Sequence, residues 1–361
     1  MKLKLQLNKD PLKAHFINKQ FYLNDQLFIK SIHKIFRRNL IYLGHNSLFD
    51  TQFNFHPRSI YPNLLDEEII LNFDQGQLKK ILSNVCTHRA HLLLDNKCSK
   101  KDILCPYHGR RFNCNGDILN APGFENQFDE IKQNENLSSL PFINLFNFYF
   151  LTKIISDISN LLGEFHYKMD WFPFSTLLPD DNFDKEFEIN AHWALYVENY
   201  LEGFHIPFIH KGLSKEIRLS DYKVEILPKG IIQTAFGKSD EKTFKDFDKV
   251  PEEYKNLAAI YLWIYPNVMI NIYPWGVSIN VIIPQTKEKT IIRYETYSLN
   301  PAEKKAGAGG DLGTVEMEDQ HAILNVQKGL KSTSYQPGKI SSIHELGVHH
   351  FHKLIINDLN N

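Results

Sequence analysis

The amino-acid sequence predicts an α+β protein with a small all-β domain and a larger domain in which helices flank an antiparallel sheet. Residues 39–156 contain short runs rich in Ile, Leu, Phe and Tyr that alternate with turn residues, a pattern typical of β-strands. Strand-like runs also crowd residues 220–300, and apolar residues at helical spacing occur near both ends of the chain. We therefore expect the small domain over residues 39–156 and the larger one over residues 1–38 and 157–361, because 361 residues suffice for two cores.

The composition excludes several classes of function. The formal net charge is −1, with 43% hydrophobic and 23% charged residues, so there is no basic surface for nucleic acid. The first residues lack the apolar core of a signal peptide, and no run approaches the ~20 apolar residues that span a bilayer. We expect a cytoplasmic protein that binds neither nucleic acid nor membrane, with reduced cysteines.

Local patterns place several elements before and within the small domain. Apolar residues at positions 28, 29, 32, 35 and 36 have helical spacing and predict a short amphipathic helix. Turn residues around Gly76 separate two alternating segments and predict a hairpin. Asn115-Gly116 predicts a second hairpin with a type I′ turn.

Two cysteine–histidine pairs lie at the ends of these predicted strands. They are Cys86-x-His88 and, after sixteen further residues, Cys105-x-x-His108. Two thiolates and two imidazoles suit either a Cys2His2 zinc site or a Rieske-type [2Fe-2S] cluster, in which one iron has two Cys ligands and the other two His ligands. The remaining cysteines, at positions 98 and 114, have no adjacent histidine in such a pattern, and we expect no ligand role for them.

The larger domain is expected to contain strands over residues 230–235, 259–265, 268–273, 277–283 and 289–297, which short turns join into one antiparallel sheet. A strand is also expected within residues 161–171. Residues 304–313 are rich in glycine but lack the strand and the Gly-Lys-Ser/Thr ending of a phosphate loop, so we interpret them as a flexible loop. Helices are predicted over 316–330 and from His349.

A second group of candidate ligands begins on a helix predicted to start near Asn190. Glu198, Glu202 and His205 have the spacing of one helix face, and Pro207 is expected to end or kink the helix before His210. Two histidines among apolar neighbours favour a metal site, and a buried structural pair is the alternative.

Non-haem iron(II) centres that activate O2 bind two His and one carboxylate and leave positions open for oxygen. The carboxylate is expected at the start of the 316–330 helix, where the helix dipole favours negative charge. Sequence spacing leaves Glu316, Glu318 and Asp319 open as candidates.

Together these motifs resemble the α subunit of Rieske non-haem iron oxygenases over nearly the whole chain. The resemblance includes Asn84-Val-Cys-Thr-His-Arg89, Cys105-Pro-Tyr-His-Gly109, Ala121-Pro122, Glu198-Asn-Tyr…Glu202-x-x-His205-x4-His210 and Met317-Glu-Asp…Gln327-Lys-Gly-Leu330. It implies a small Rieske domain and a catalytic domain of helix-grip type. The chain departs from the family at Arg110, where Trp is common, and at His192-Trp-Ala194, where the family has Asn-Trp-Lys.

The resemblance implies roles for individual residues. The cluster ligands would be Cys86, His88, Cys105 and His108, and the iron ligands His205, His210 and Asp319. Glu202 would be the carboxylate that links a triad histidine to a cluster histidine of the neighbouring subunit in a head-to-tail homotrimer, and Asn199 would lie near the iron.

The implied function is an oxygenase component that uses O2 and NAD(P)H electrons from a separate reductase, possibly with a ferredoxin. Within the family, the chain most resembles the choline monooxygenase branch, at His210-Lys-Gly-Leu213, Ile264-Tyr-Pro-Asn-Val-Met-Ile-Asn271 and His349-His-Phe-His352. This resemblance implies a quaternary ammonium substrate. Trp263, Tyr265, Tyr273 and Trp275 are candidates to contact that cation, or else core aromatics of the sheet. The alternatives are hydroxylation or demethylation of an aromatic or other hydrophobic substrate, and a non-catalytic electron-transfer protein.

Overall fold

The computed structural model describes residues 5–152, 156–300 and 307–360. The chain divides into two compact units, Ile41–Ile155 and the combination of Met1–Leu40 with Ser156–Asn361. Both units contain antiparallel sheets and helices, which confirms the predicted fold class. None of the helices in these described ranges is long and apolar enough to cross a bilayer.

The chain begins with short helices that precede the first strand. They are α1 (Gln20–Leu23) and α2 (Asp25–Ser31), and α2 continues as a π-helical turn over Ile32–Phe36. The side chain of Asn24 accepts a hydrogen bond of 3.1 Å from the Leu27 amide and so caps α2. The amphipathic helix expected from apolar spacing is thus present.

The unit Ile41–Ile155 consists mainly of short strands. In its described part, the orders are β1-β10-β9, β2-β3-β4-β8 and β5-β6-β7, and all pairs are antiparallel. The elements are β1 Ile41–His45, β2 Phe55–Ile60, β3 Glu67–Asp74, β4 Gln77–Ser83, β5 Asp102–Leu104, β6 Arg111–Asn113, β7 Ile118–Asn120, α3 Phe128–Asn134, β8 Ser139–Leu140, β9 Phe142–Leu145 and β10 Phe148–Leu151.

Both predicted hairpins form, but their turns differ. Gln75 and Gly76 have φ angles of 50° and 71°, as a type I′ turn requires. At the second hairpin Gly116 has a φ of 89° while Asn115 is not in the left-handed region, so the predicted type I′ turn is wrong there. The Asn113 side chain accepts hydrogen bonds from the amides of Asn115 and Asp117 at 2.8 and 2.9 Å, which favours a three-residue turn ending at Gly116.

The unit Met1–Leu40 with Ser156–Asn361 is built on an antiparallel sheet with the order β11-β17-β16-β15-β14-β13-β12 in the described residues. Its elements after residue 155 are α4 Ser156–Met169, β11 Leu178–Ile189, α5 Trp193–Tyr200, α6 Ile206–Ile209, α7 Leu213–Glu216, β12 Lys223–Leu227, β13 Gly230–Phe236, β14 Leu257–Ile264, β15 Val268–Tyr273, β16 Gly276–Thr286, β17 Lys289–Ser298, α8 Leu312–Leu330 and α9 Leu346–Asn360. Short 3-10 turns occur at Pro11–Lys13, Asn46–Leu48, Glu125–Gln127, Phe174–Thr176, Leu219–Asp221, Phe244–Asp246, Glu252–Tyr254 and Gly307–Gly309.

The strands expected between residues 230 and 297 are all present, as β13 to β17. The strand expected within residues 161–171 is wrong, because most of that segment lies in α4. Of the predicted loop over residues 304–313, positions 304–306 lie outside the described residues, and α8 already begins at Leu312.

Helices α5 and α8 position the polar residues of this unit. Helix α5 packs against β16, α8 and α9. It is capped by His192 rather than by a residue near Asn190, since the His192 side chain accepts a hydrogen bond from the Ala194 amide at 3.3 Å. The Asp311 side chain caps α8, which places Asp319 in the third turn of that helix. The expectation that the candidate carboxylate benefits from the start of a helix is therefore wrong.

Candidate metal centres

The first candidate centre consists of two loops that have the same backbone turn. The Ala90 amide donates to the Cys86 carbonyl at 3.1 Å, and the Gly109 amide donates to the Cys105 carbonyl at 3.1 Å. Ala90 and Gly109 have φ angles of 54° and 75°. The left-handed conformation suits glycine and is strained for alanine. Each loop therefore turns sharply behind its cysteine and brings its histidine back toward the same place.

The thiols and imidazoles of these loops differ in exposure. Cys86 and Cys105 are 3% and 2% exposed and are close enough for their thiols to interact. The His88 and His108 ring centroids are 4.7 Å apart, and His108 is exposed. A group held here would have buried thiolates on one side and an imidazole edge at the surface, where electrons can enter and leave.

These residues fit a [2Fe-2S] cluster. His88 Nδ1 is buried and lacks a hydrogen-bond partner within the described part of the chain, as expected for a nitrogen whose partner is a metal. Burial raises the pKa of the Cys86 thiol, so a metal must supply the positive charge that keeps it ionised. Cys98 pairs through its backbone with Phe55 and Cys114 is exposed, and neither belongs to the ligand loops.

The second candidate centre follows the end of α5. The helix stops at Tyr200, so the expectation that Glu198, Glu202 and His205 share one helix face is wrong. Glu202 instead folds the next loop, because its carboxylate accepts hydrogen bonds from the amides of Phe204 and His205. Pro207 lies in the first turn of α6, where its missing N–H costs nothing.

His205, His210 and Asp319 meet between α6 and α8. Their nearest ligand atoms all lie within 4.8 Å of one another. The two Nε2 atoms are 3.1 Å apart, and Asp319 Oδ1 lies 2.9 Å from His210 Nε2 and 3.6 Å from His205 Nε2. Separations of about 3 Å are those of adjacent ligands bound about 2.1 Å from one ion. The donor set therefore fits a two-histidine, one-carboxylate iron site.

Each histidine ring is oriented by a carboxylate of its own, in addition to Asp319. His205 Nδ1 donates to Glu202 Oε1 at 2.6 Å, and His210 Nδ1 donates to Glu318 Oε2 at 2.8 Å. Each contact keeps the Nε2 lone pair free for a metal. Burial by itself lowers the pKa of His210, but Asp319 and Glu318 raise it overall. The carboxylates thus favour positive charge at this point.

The three carboxylates left open by the sequence occupy different places. Asp319 faces the Nε2 atoms of His205 and His210, and Glu318 contacts the Nδ1 atom of His210. Glu316 is 9% exposed and accepts hydrogen bonds from the hydroxyls of Tyr196 and Tyr294. Burial raises the pKa of Glu316 to about 7, although both tyrosine hydrogen bonds oppose this.

Glu198 and Asn199 border one cavity that also reaches Glu202 and His205. Glu198 accepts hydrogen bonds from Tyr22 at 2.6 Å and from His352 Nε2 at 2.9 Å. Asn199 also borders a separate cavity that adjoins His205, His210 and Asp319.

A cavity of about 110 Å³ adjoins His205, His210 and Asp319, and we call it the tyrosine cavity. Its lining includes, among the described residues, Tyr196, Tyr200, Tyr222, Tyr261, Tyr273 and Tyr294. Burial raises the pKa of each of these hydroxyls, so all remain neutral at physiological pH. Glu316 and Gln233 also line it. Gln233 Nε2 donates to the Tyr200 carbonyl at 2.8 Å, while its Oε1 lacks a partner in the described part of the protein.

Of the four aromatic residues expected to contact substrate, the structure brings only Tyr273 to the lining of this cavity, as far as the described residues extend. Trp275 stacks behind Tyr273 with ring centroids 5.2 Å apart. Trp263 packs against Phe351 of α9 at 5.4 Å, and Tyr265 donates a hydrogen bond to Asp358 of α9 at 3.0 Å. The expected cavity role of Trp263, Tyr265 and Trp275 is therefore not supported.

Trp263 and Tyr265 are absent from the lining because of their position along β14 and at its end. Tyr261, Trp263 and Tyr265 alternate along β14 and its end, so they lie on one face of the sheet. Tyr261 pairs with Asn271 of β15, and both line the tyrosine cavity, whereas the next two aromatics lie under α9. Alternation could have identified Tyr261 two positions before Trp263, but not where the cavity ends.

Two families match the chain. The Rieske [2Fe-2S] domain matches residues 55–141, within the unit Ile41–Ile155. The ring hydroxylating alpha subunit (catalytic domain) matches residues 174–359, about half of the chain.

Individual relatives and structures agree with these matches. The carnitine monooxygenase oxygenase subunit of Escherichia coli (strain K12) is 28% identical over 96% of this chain and 94% of the relative. The chloroplastic choline monooxygenase of Arabidopsis thaliana is 28% identical over 81% of this chain and 72% of the relative. The apo structure of a quaternary ammonium Rieske monooxygenase, CntA, has the same fold, with a TM-score of 0.72, 23% identity, and 97% and 96% of the two chains covered. Naphthalene 1,2-dioxygenase from Rhodococcus sp. also shares the fold, with a TM-score of 0.68, 13% identity, and 95% and 94% covered.

Proposed function

This chain belongs to the ring-hydroxylating oxygenase α-subunit family and has its Rieske [2Fe-2S] domain and its catalytic domain, and we propose that it is the oxygenase component of a monooxygenase for a small quaternary ammonium compound. When bound, the cluster supplies single electrons and the ferrous iron activates O2 at open coordination positions. The relatives named as carnitine and choline monooxygenases support the choice of substrate class.

The observation that carries the proposal is the tyrosine cavity beside His205, His210 and Asp319. A quaternary ammonium ion cannot donate hydrogen bonds, but it is attracted to aromatic faces. Buried tyrosines offer such faces without positive charge, and Glu316 adds a carboxylate. A cation is therefore better matched to this cavity than an uncharged arene, which would bring no counter-charge to the buried carboxylate of Glu316.

The polar lining also distinguishes the rest of the substrate. Gln233 Oε1 is an acceptor without a partner among the described residues, and the Tyr200 hydroxyl already donates to Asn271 at 2.8 Å. A hydroxyl group on the substrate can donate to Gln233 Oε1 and so orient the molecule.

We assign the iron ligands to His205, His210 and Asp319 and the cluster ligands to Cys86, His88, Cys105 and His108. Glu318 and Glu202 hold the histidine rings in place. Glu202 also serves as the carboxylate between the iron histidine and the cluster of a neighbouring subunit.

Electrons come from a separate NAD(P)H-dependent reductase, directly or through a ferredoxin. A head-to-tail homotrimer is supported by apolar side chains that are exposed in the single chain next to both centres. Phe208, close to His205, is 72% exposed, and Tyr107, adjacent to His108, is 51% exposed. Such side chains are typical of surfaces that a partner covers.

The test uses the holoenzyme with a reductase, 18O2 and a panel of choline, carnitine, glycine betaine and simple arenes. We expect one labelled oxygen atom in the product of a trimethylammonium compound and no product from arenes. Turnover of arenes but not of trimethylammonium compounds would contradict the proposed substrate class. An iron content of about two rather than three per chain, with no turnover of any compound, would instead indicate a non-catalytic electron-transfer protein.

A further inference from the structure

The buried side chain of Arg110 connects the two ligand loops of the unit Ile41–Ile155. Arg110 lies two residues after His108, in the second loop. Its side chain is 3% exposed, and its NH1 group donates a hydrogen bond of 3.1 Å to the hydroxyl of Thr87. Thr87 lies between Cys86 and His88 in the first loop. One cation is therefore held beside both pairs of proposed cluster ligands.

The surroundings of Arg110 leave part of its hydrogen-bonding capacity unused. Its NH1 group forms an ion pair with Glu135, and its guanidinium lies 5.2 Å from the ring centroid of Phe124. Its Nε atom is buried and lacks a partner in the part of the chain that the structure describes. A buried, charged donor without an acceptor is costly. A [2Fe-2S] group with two Cys and two neutral His ligands is neutral when oxidised and carries a charge of −1 when reduced, so its reduced form offsets such a charge.

Glu135 does not cancel the positive charge at the ligands. Its side chain is 37% exposed, so water screens it more than it screens the buried guanidinium. The guanidinium is buried and contacts Thr87, between Cys86 and His88, while it belongs to the loop of Cys105 and His108. Its positive charge therefore acts on both pairs of ligands.

We infer that Arg110 raises the reduction potential of the cluster bound by Cys86, His88, Cys105 and His108. Reduction by one electron, which the reductase supplies, adds one negative charge to the cluster. A fixed cation beside the ligands stabilises this product more than the oxidised cluster. The family commonly has Trp at this position, so the charge distinguishes this chain. The inference concerns the cluster alone and is independent of the substrate.

The experiment is a redox titration of the holoenzyme, with the reduced cluster quantified by EPR. In R110Q, which keeps a hydrogen-bonding side chain near Thr87, the ratio of reduced to oxidised cluster at a fixed solution potential should fall about tenfold. For a one-electron couple this equals about 59 mV toward lower potential. R111Q is the matched control, because Arg111 is the next residue and its side chain is 50% exposed. Its potential should equal that of the wild type.

Two further variants separate charge from structure. R110K keeps the cation and should stay close to the wild-type potential. E135Q removes the negative partner and should shift the potential upward, opposite to R110Q. If R110Q fails to retain its cluster, the potentials of R110K and E135Q test the effect of the Arg110 charge.

The inference is overturned if R110Q has the wild-type potential, or if R110K falls as far as R110Q, because the effect would then come from packing. It is also overturned if E135Q fails to raise the potential.

Discussion

The Nε2 atom of His210 and the Oδ1 atom of Asp319 lie 2.9 Å apart, although 109 residues separate them in the chain. The contact joins the C-terminal end of α6 to the third turn of α8. Both atoms also face His205 Nε2. This relationship turns three polar residues into one candidate iron site.

Replacement of Asp319 by Ala should abolish turnover and remove the mononuclear iron while the cluster remains. The iron would lose its charged ligand and keep only the two histidines. Iron analysis should fall from about three to about two atoms per chain, with an unchanged EPR signal of the reduced cluster. Activity that persists in this variant would show that another carboxylate binds the iron.

Glu318→Ala should weaken iron binding by roughly 10- to 100-fold, the usual effect of losing the partner of a ligating histidine. His210 loses the acceptor of its Nδ1–H, which lies 2.8 Å away. Competition with a chelator measures the change. Asn325→Ala, on an exposed position of the same helix, is the control and should leave iron affinity unchanged.

Tyr273→Leu should raise the KM for a trimethylammonium substrate by roughly 2- to 30-fold, because loss of a cation–π contact costs about 0.5–2 kcal/mol. Tyr273→Phe keeps the aromatic face and should change KM much less. Tyr265→Phe removes only the hydroxyl that contacts Asp358 and should leave KM unchanged. Equal effects of Leu and Phe at position 273 would argue against cation–π recognition.

Binding of a quaternary ammonium ligand should strengthen several-fold between pH 6 and pH 8. The pKa of Glu316 is raised to about 7 by burial, so its ionised fraction rises from roughly 10% to roughly 90% over this range. The ligand carries a permanent charge and does not titrate. Of the groups that act on Glu316, the hydroxyls of Tyr196 and Tyr294 stay neutral over this range, and the charge of Asp319 acts in the same direction as burial on the pKa of Glu316.

Calorimetry of the holoenzyme at both pH values measures this effect. Glu316→Gln should bind the ligand more weakly and with little pH dependence. A variant that keeps the wild-type pH dependence would exclude Glu316 as its source.

Electron transfer between subunits should allow two inactive variants to complement each other. Cys86→Ser disables the cluster, and Asp319→Ala disables the iron site. In the proposed homotrimer, random mixing makes about one quarter of the cluster–iron pairs intact, so co-expression should restore about one quarter of the wild-type rate. Each variant expressed alone is the control, and the absence of any recovery would indicate transfer within a single chain.

Sequence reasoning performed best where ligands are close together in the chain. Cys86 lies two residues before His88, and Cys105 three residues before His108. Each pair therefore lies within one tight turn, and its proximity could be predicted without knowledge of tertiary structure. The strands β13 to β17 were equally accessible, because alternation of apolar residues is a local property.

Spacing in the sequence could not identify which carboxylate faces the histidines, because that depends on tertiary packing. Glu316, Glu318 and Asp319 lie within one turn of α8, and only tertiary packing gives each its own contacts. The same limit explains Glu202, because the end of α5 at Tyr200 turned an expected helix-face residue into the acceptor for a loop. Distance along β14, rather than its alternation, separates Tyr261 from Trp263.

The position of the cysteines has a consequence for how the protein accumulates in a cell. Cys86 and Cys105 belong to the same buried cluster as Phe55, Ile103 and Phe112, so assembly of the metal group and completion of that core depend on the same side chains. We expect a chain synthesised during iron starvation to complete this core less often and to be degraded faster by proteases. Iron supply should therefore control the abundance of the protein as well as the rate at which each molecule works.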